Sequence, residues 1–397
     1  MIPRLLETKL KEAAGFYPVV TLTGPRQSGK TVLVRHAFKD HAYVSLEDPE
    51  QRRFARDDPR GFLGQFSGDV VLDEAQQVPD LFSYIQGIVD KENRPGHFIL
   101  TGSQHFLLLS KIAQTLAGRC AVLHLLPFTL DELLERPPLP VEALGKKLDN
   151  QRLKPAVQLW SALHTGFYPR IHDRGIPAQD WLKNYCMTYI ARDVRDIVQV
   201  GDLETFERFL ALCAGRNGAL LNLSALAADC GISHTTARRW ISILETSFLI
   251  LLLRPHHRNF NKRLVKSPKL YFLDTGLLCY LLRIRRTEEL LLHASRGAVF
   301  ESFVIAELHK RRLNQAVAPD LYFWRDFTGH EVDLVFDQGP ASVGIEIKSG
   351  MTVARGFFAH LDYWRRLHDH PPPAALIYGG DRMFFQHDTG VYPWWAF

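Results

Sequence analysis

No apolar run in this 397-residue chain approaches the length needed to cross a bilayer. The longest, Phe248–Leu253, stops at six residues, whereas a spanning helix needs about 20. Met1–Tyr17 lacks the apolar core of a secretion signal. The expectation is a cytoplasmic chain with no membrane partner. Cysteine is scarce and scattered: Cys120, Cys186, Cys213, Cys230 and Cys279 form no C-x-x-C pair. That argues against a thiolate metal site or a disulfide framework, and for small core residues in a reducing compartment. What remains is the composition of a globular protein, 46% hydrophobic and 23% charged. Its length predicts two to four domains.

The net charge of +5 conceals a strong local excess. Between His234 and Arg286 stand eleven Lys and Arg against two acids, Glu245 and Asp274, a net of +9. The rest of the chain is therefore slightly acidic, and one segment is a basic patch.

The chain carries Gly24-Pro25-Arg26-Gln27-Ser28-Gly29-Lys30-Thr31, a match to G-x-x-x-x-G-K-[ST], between an apolar strand (Val19–Leu22) and a helix (Val32–Phe38). The motif requires that context. Its glycines let backbone N–H groups curl around phosphates, and the helix N-terminus adds its dipole. Lys30 brings charge to the β/γ-phosphates, and Thr31 a hydroxyl to Mg²⁺. Arg26 can touch the γ-phosphate or pair with a carboxylate. A second apolar run ends in Asp73-Glu74, with Asp73 lying 43 residues past Lys30. Asp73 is placed to hold the Mg²⁺ shell, and Glu74 to orient or deprotonate the attacking water. A third strand, His97–Thr101, ends in Gly102-Ser103-Gln104, where Ser103 or Gln104 senses the γ-phosphate or simply makes a turn. With Ala42–Leu46 and Cys120–Leu125, five strands alternate with helices and predict a parallel α/β sheet. Arg119, just before the fifth strand, is either a surface residue or a transition-state arginine reaching a neighbouring subunit of a homo-oligomer. ATP and Mg are the expected cofactors.

GPRQSGKT, LDEAQ, LTGS and LAGR (Leu116–Arg119), with Gly166-Phe167-Tyr168-Pro169 and Tyr189–Val194 further on, resemble the bacterial and archaeal AAA-type ATPases that carry a C-terminal domain of unknown function. Phe167 departs from the second glycine usual there. The resemblance covers nearly the whole chain. It implies an ATPase core (1–135) and then, after the break at Arg136–Pro140, a linker and helical lid over the nucleotide (136–205). Arg192 and Arg195, in that lid, face the nucleotide or pair with Asp193 and Asp196.

Residues 206–286 read as a winged helix. Leu223–Ser233 is a helix, a turn at Gly231 and a serine N-cap, and His234–Thr246 is a second helix. Leu249–Leu253 and Lys269–Leu273 would form the wing around the basic loop Arg254–Pro268. Arg238, Arg239, Arg258, Lys262, Arg263 and Lys266 are candidate DNA contacts, with DNA as the expected partner. The alternative is a winged helix that packs between domains, its charges solvated.

In 287–397, an amphipathic helix at Gly297–Leu308 precedes strands Leu321–Arg325, Glu331–Phe336 and Ser342–Lys348. The period of two puts Glu346 and Lys348 on one face. Asp333 and Glu346-x-Lys348, with Glu301 on the helix, resemble the PD-(D/E)xK signature of restriction-endonuclease-like folds. That resemblance implies Asp333 and Glu346 as Mg²⁺ ligands and Lys348 as the group that activates the nucleophile, with Glu301 as the helix acid. It also allows a fold retained as a binding module. The chain thus reads as an ATP-hydrolysing, DNA-associated switch with a nuclease-like end, or as a signalling ATPase whose later domains bind a protein.

Overall fold

The computed structural model describes residues 2–103, 115–146, 152–190, 203–256, 266–338 and 341–397. The chain divides into two compact units. One comprises Met1–Phe128 with Thr246–Phe248 and Arg312–Ala318; the other comprises Thr129–Glu245, Leu249–Arg311 and Pro319–Phe397.

The first unit is built on five strands: β1 (Val19–Thr23), β2 (Ala42–Ser45), β3 (Val70–Asp73), β4 (Phe98–Gly102) and β5 (Cys120–His124). All pair in parallel, in the order β2-β3-β4-β1-β5. The central strands β1, β3 and β4 are buried along their whole length, as a parallel sheet covered on both faces requires. Their side chains alternate between two cores. Val20, Leu22, Val71 and Ile99 meet Leu6 and Leu10 of the helix Leu6–Phe16 and Leu33 and Val34 of the helix Lys30–Ala37. Val19, Val70, Leu72 and Leu100 meet Phe62, Phe82 and Ile85 on the other face. In register, Thr23 lies beside Gly102 and His124. The loops after β1, β3 and β4 therefore converge at the carboxyl ends of the strands, where ligands bind in such sheets.

The segment expected as a lid over the nucleotide groups differently. Its described helices, Leu159–Thr165, Pro169–Arg174 and Ala178–Tyr185, belong to the second unit. There the Phe167 N–H donates to Asp274 Oδ2 at 2.7 Å. A Cβ on Gly166 would stand 2.6 Å from Asp274 Oδ1 and 2.8 Å from the Gly276 Cα, so only glycine fits. Phe167 stacks on Phe303 at 5.8 Å between ring centroids, which a second glycine could not do. Arg192 and Arg195 lie outside the described residues.

Two helices occupy the segment read as a helix-turn-helix. Asn222 caps the helix Leu223–Cys230, Gly231 turns with φ 69°, and Ser233 Oγ accepts the Thr236 N–H before the helix His234–Thr246. Trp240 packs edge-on against Phe206 and Phe209 of the preceding helix, Leu203–Gly215.

A hairpin follows, β6 (Ile250–Pro255) against β7 (Lys269–Phe272). The remaining strands are β8 (Leu321–Arg325), β9 (Glu331–Gln338), β10 (Ala341–Lys348), β11 (Ala374–Tyr378), β12 (Phe384–Gln386) and β13 (Thr389–Pro393). β6 pairs in parallel with β8. The hairpin is thereby one end of an eight-stranded sheet ordered β12-β13-β11-β10-β9-β8-β6-β7. The expected domain boundary at 286/287 is not a break in this sheet, because pairing between strands distant in sequence runs across it. Among the described residues no helix is long and apolar enough to cross a membrane.

Candidate functional sites

At the carboxyl ends of β1, β3 and β4 the phosphate-loop residues meet the acidic strand. Gly24 runs against β5's exit, and a Cβ there would stand 2.1 Å from the Leu125 carbonyl oxygen. Gln27 (φ 64°) and Gly29 (φ 93°) take left-handed conformations that curl the loop, the arrangement that turns successive N–H groups toward an anion. Lys30 is only 5% exposed, and its Nζ donates to the Gly24 and Pro25 carbonyls at 3.0 and 2.9 Å. Burial lowers its pKa to about 8, against the opposing pull of Glu74 and Asp73. Ser28 Oγ is fully buried with no hydrogen-bond partner. An orphaned hydroxyl and a desolvated ammonium in one glycine-curled loop fit a phosphate chain. Gly24–Thr31 would hold it.

Asp73 gathers three donors. Thr31 Oγ1 and Tyr43 Oη donate to its Oδ2 at 2.9 and 2.7 Å, and Thr101 donates to its Oδ1. A hydroxyl and a carboxylate in contact are the donor set that would hold Mg²⁺ beside phosphates. Glu74 adopts a left-handed conformation (φ 56°), fixed by its N–H to Thr101 Oγ1 at 3.1 Å. Its Oε2 accepts from Ser103 Oγ at 2.9 Å and from the Gln76 amide. β4 lies between β1 and β3, so its tip brings Thr101 and Ser103 between the two motifs. Gln104 lies outside the described residues.

One expected residue stands elsewhere. Arg119 precedes β5 at the amino ends of the strands, its carbonyl accepting from the Val19 N–H, and its side chain pairs with Asp90. Within its own chain it is at the far end of the sheet from Lys30. Arg26 sits in the loop and is half-buried. Sequence reasoning missed Arg4, whose buried guanidinium donates to the Ser28 and Leu126 carbonyls at 2.7 and 2.6 Å and so braces the loop against β5's exit. An isolated basic residue gave no signal of this. Tyr43, Thr101 and Gln76 were missed as well, although Thr101 and Gln76 stand inside the motifs LTGS and LDEAQ.

In the second unit, β9, β10, β7 and the helix Arg296–Asn314 bring six carboxyl and amino groups of the expected set and its neighbours together. Asp333 Oδ2 accepts the Ile347 N–H at 2.8 Å and Lys348 Nζ at 3.4 Å. Lys348 also stands 2.5 Å from Glu346 Oε1. Burial opposes the charge on Lys348, and Asp333 and Glu346 outweigh it, so its pKa rises. Glu346 is pushed well above the usual carboxylate range by burial, then by Asp333, and its Oε2 has no hydrogen-bond partner. Glu301 is raised to about 7, chiefly by burial, with Lys269 pulling the other way.

Lys269 corrects the charge reading. It was counted in the basic patch, yet it is buried and pairs with Glu331 and Glu301. It therefore adds nothing to a surface field. Glu331, Lys269 and Tyr271 were missed as members of this cluster, though Glu331 shares a face of β9 with Asp333 by the period of two. Arg238, Arg239 and Lys266 are exposed; Arg258, Lys262 and Arg263 lie outside the described residues. No group of three or more His, Cys, Asp or Glu among the described residues is arranged to hold a metal. A cation here would rest on Asp333 and Glu346 with water completing its shell, as Mg²⁺ commonly does. The orphaned Glu346 oxygen and the all-oxygen donor set fit that.

Comparison with known proteins agrees with this geometry in the first unit. Residues 17–134 match an AAA domain, 157–288 a domain of unknown function (DUF8612) and 296–397 another (DUF4143). An uncharacterized protein of Mycobacterium tuberculosis is 32% identical over 393 residues, covering 96% of this chain and 81% of its own. An uncharacterized protein of Methanocaldococcus jannaschii is 22% identical over 339 residues, covering 81% of this chain and 72% of its own. Among solved structures, the Walker-type ATPase of Pyrococcus abyssi is 16% identical with a TM-score of 0.42, covering 70% of this chain and 94% of its own.

The Lys30 pKa near 8 has a measurable consequence. A bound phosphate chain favours the charged ammonium, so nucleotide binding should draw a proton onto Lys30 at pH 8.5, and less toward pH 7 where Lys30 is already protonated. Calorimetric titration in buffers of different ionisation enthalpy reads this uptake. Heats at pH 8.5 that do not depend on the buffer would contradict it.

Proposed function

The chain belongs to a P-loop, AAA-type ATPase family and is 32% identical to the mycobacterial relative, and we propose that it is a nucleotide-driven switch that acts on DNA. Its first unit would hydrolyse Mg-ATP. Bound Mg²⁺ supplies charge neutralisation across the β- and γ-phosphates. Lys30 would bind those phosphates, while Thr31 and Asp73 hold the ion's shell. Glu74 would orient the attacking water and accept its proton, and Ser103 would report the γ-phosphate to Glu74 through their hydrogen bond. The observation that carries this reading is the contact of Thr31 with Asp73 at 2.9 Å, which joins the phosphate loop to the acidic strand next to Glu74.

DNA would meet the exposed Arg238 and Arg239 on the second helix of the helix-turn-helix, with Lys266 beside the hairpin. The Glu301, Asp333, Glu346 and Lys348 cluster would act as a metal-dependent phosphodiesterase site. A second reading has a specific observation in its favour. Each of its carboxylates already has an ammonium partner, Lys269 or Lys348. A cluster whose carboxylates are already held by lysines suits an interaction module that cleaves nothing.

Glu74→Gln should bind ATP and lose turnover by about 10²-fold or more, the scale expected of a positioned general base; normal turnover would remove Glu74 from its role. Arg238→Ala/Arg239→Ala should weaken DNA binding and reduce the slope of log K against log salt by about 2, one unit for each lost phosphate contact. An unchanged slope would place the DNA surface elsewhere. Mg²⁺- or Mn²⁺-dependent nicking of DNA should vanish in Asp333→Asn while ATP turnover persists. A wild type that nicks no DNA form under these conditions would favour the interaction module.

A further inference from the structure

The hairpin brings a cation into the carboxylate cluster. Lys269 on β7 is 3% exposed, and its Nζ lies 2.5 Å from Glu331 Oε1 and 3.4 Å from Glu301 Oε1. Tyr271, two residues on and so on the same face of β7, donates its hydroxyl to that Glu301 oxygen at 2.5 Å. Glu301 and Glu331 thus close around one buried ammonium. The other half of the cluster is different. Asp333 and Glu346 share Lys348 at the same distances, 3.4 and 2.5 Å, but its side chain is 32% exposed. Glu346, 1% exposed, keeps Oε2 without any hydrogen-bond partner. Each pair holds one ammonium, but only the second has an ammonium that reaches solvent and a buried carboxyl oxygen without a donor.

Resting on the reading of this cluster as a metal-dependent phosphodiesterase site, we propose that it takes a single divalent cation, on Asp333 and Glu346, and that the Lys269 ammonium permanently fills a second cation position on Glu301 and Glu331. A buried carboxyl oxygen without a donor, beside an ammonium that can withdraw to solvent, is open to a hard dication. A dication on Glu301 and Glu331 would instead have to share them with a buried ammonium whose like charge repels it at short range in a medium of low dielectric. Lys269 belongs to the hairpin, while Glu301 and Glu331 belong to the following helix and to β9. The helix-turn-helix segment and the carboxylate site are thereby one electrostatic object.

The test is Mn²⁺ binding to the full-length, nucleotide-free protein, followed by the electron paramagnetic resonance of free Mn²⁺. Only equivalents removed by substitutions in the cluster are counted, so that any ion on the phosphate-loop unit is common to all samples. The wild type should show one equivalent, lost in Asp333→Asn. Lys269→Met should gain a second equivalent, absent from Lys269→Met/Glu331→Gln. Two equivalents in the wild type, one lost in Asp333→Asn and the other in Glu331→Gln, would overturn the resident ammonium and leave the metal-site reading standing. One equivalent in Lys269→Met would do the same. No equivalent in the wild type would overturn the reading itself and this inference with it. If Lys269→Met is unfolded in chelator, its near-ultraviolet circular dichroism should recover on adding Mn²⁺ while the double variant does not respond. Failure to recover would count against the proposal.

Discussion

Taking a charge out of water costs several kcal/mol unless an opposite charge or a full set of hydrogen bonds meets it, and both units are organised around charges that are met in this way. In the first, Asp73 at the end of β3 receives hydroxyls from the phosphate-loop helix, from β2 and from β4. Three separate elements are held by one carboxylate. In the second, Asp131 is fully buried and is shared by Arg136, Arg152 and Arg311, while Arg136 and Arg311 also reach the Trp395 and Phe397 carbonyls. Removing one partner of such a set leaves the others uncompensated, a loss of about 3–5 kcal/mol in comparable cases. These residues fix position as much as they stabilise.

The nucleotide site shows how position becomes chemistry. Thr101 contacts Asp73 with its hydroxyl and the Glu74 N–H with the same oxygen, so the residue that stabilises the acidic strand's end also sets Glu74 in its left-handed turn. Backbone held in such a region persists only when its surroundings fix it, and it gathers at functional sites. Ser103 and Gln76 then hold the Glu74 carboxylate from one side. Arg4 acts at a distance from all of this, bracing the loop from beneath through two carbonyls.

Much of this was legible from residue types alone because the signals are local. The parallel strands are short apolar runs that end in glycine, threonine or acid, and the helix-turn-helix reading rests on Gly231 and Ser233. Glu346 and Lys348 share a face through simple alternation. What sequence could not supply depends on pairing between distant segments. Lys269 reads as one more basic residue of a charged stretch, and only the pairing of β6 with β8 and the approach of the helix Arg296–Asn314 bury it among acids. The grouping of the expected lid segment with the second unit left no local trace for the same reason. Its partners, Asp274 and Gly276, lie about a hundred residues further on, and their approach to Gly166 leaves no local trace except the glycines themselves. Arg4 is the extreme case, a lone side chain whose role depends wholly on β1 and β5 being neighbours.

The parallel pairing of β6 with β8 also sets a schedule for the nascent chain. As the protein leaves the ribosome the hairpin emerges first, and the strand that completes its edge is still unmade. At ordinary elongation rates the delay is on the order of seconds. Over that interval β6 presents unpaired N–H and C=O groups, the feature by which strands find wrong partners, and Lys269 waits beside Tyr271 without Glu301 or Glu331.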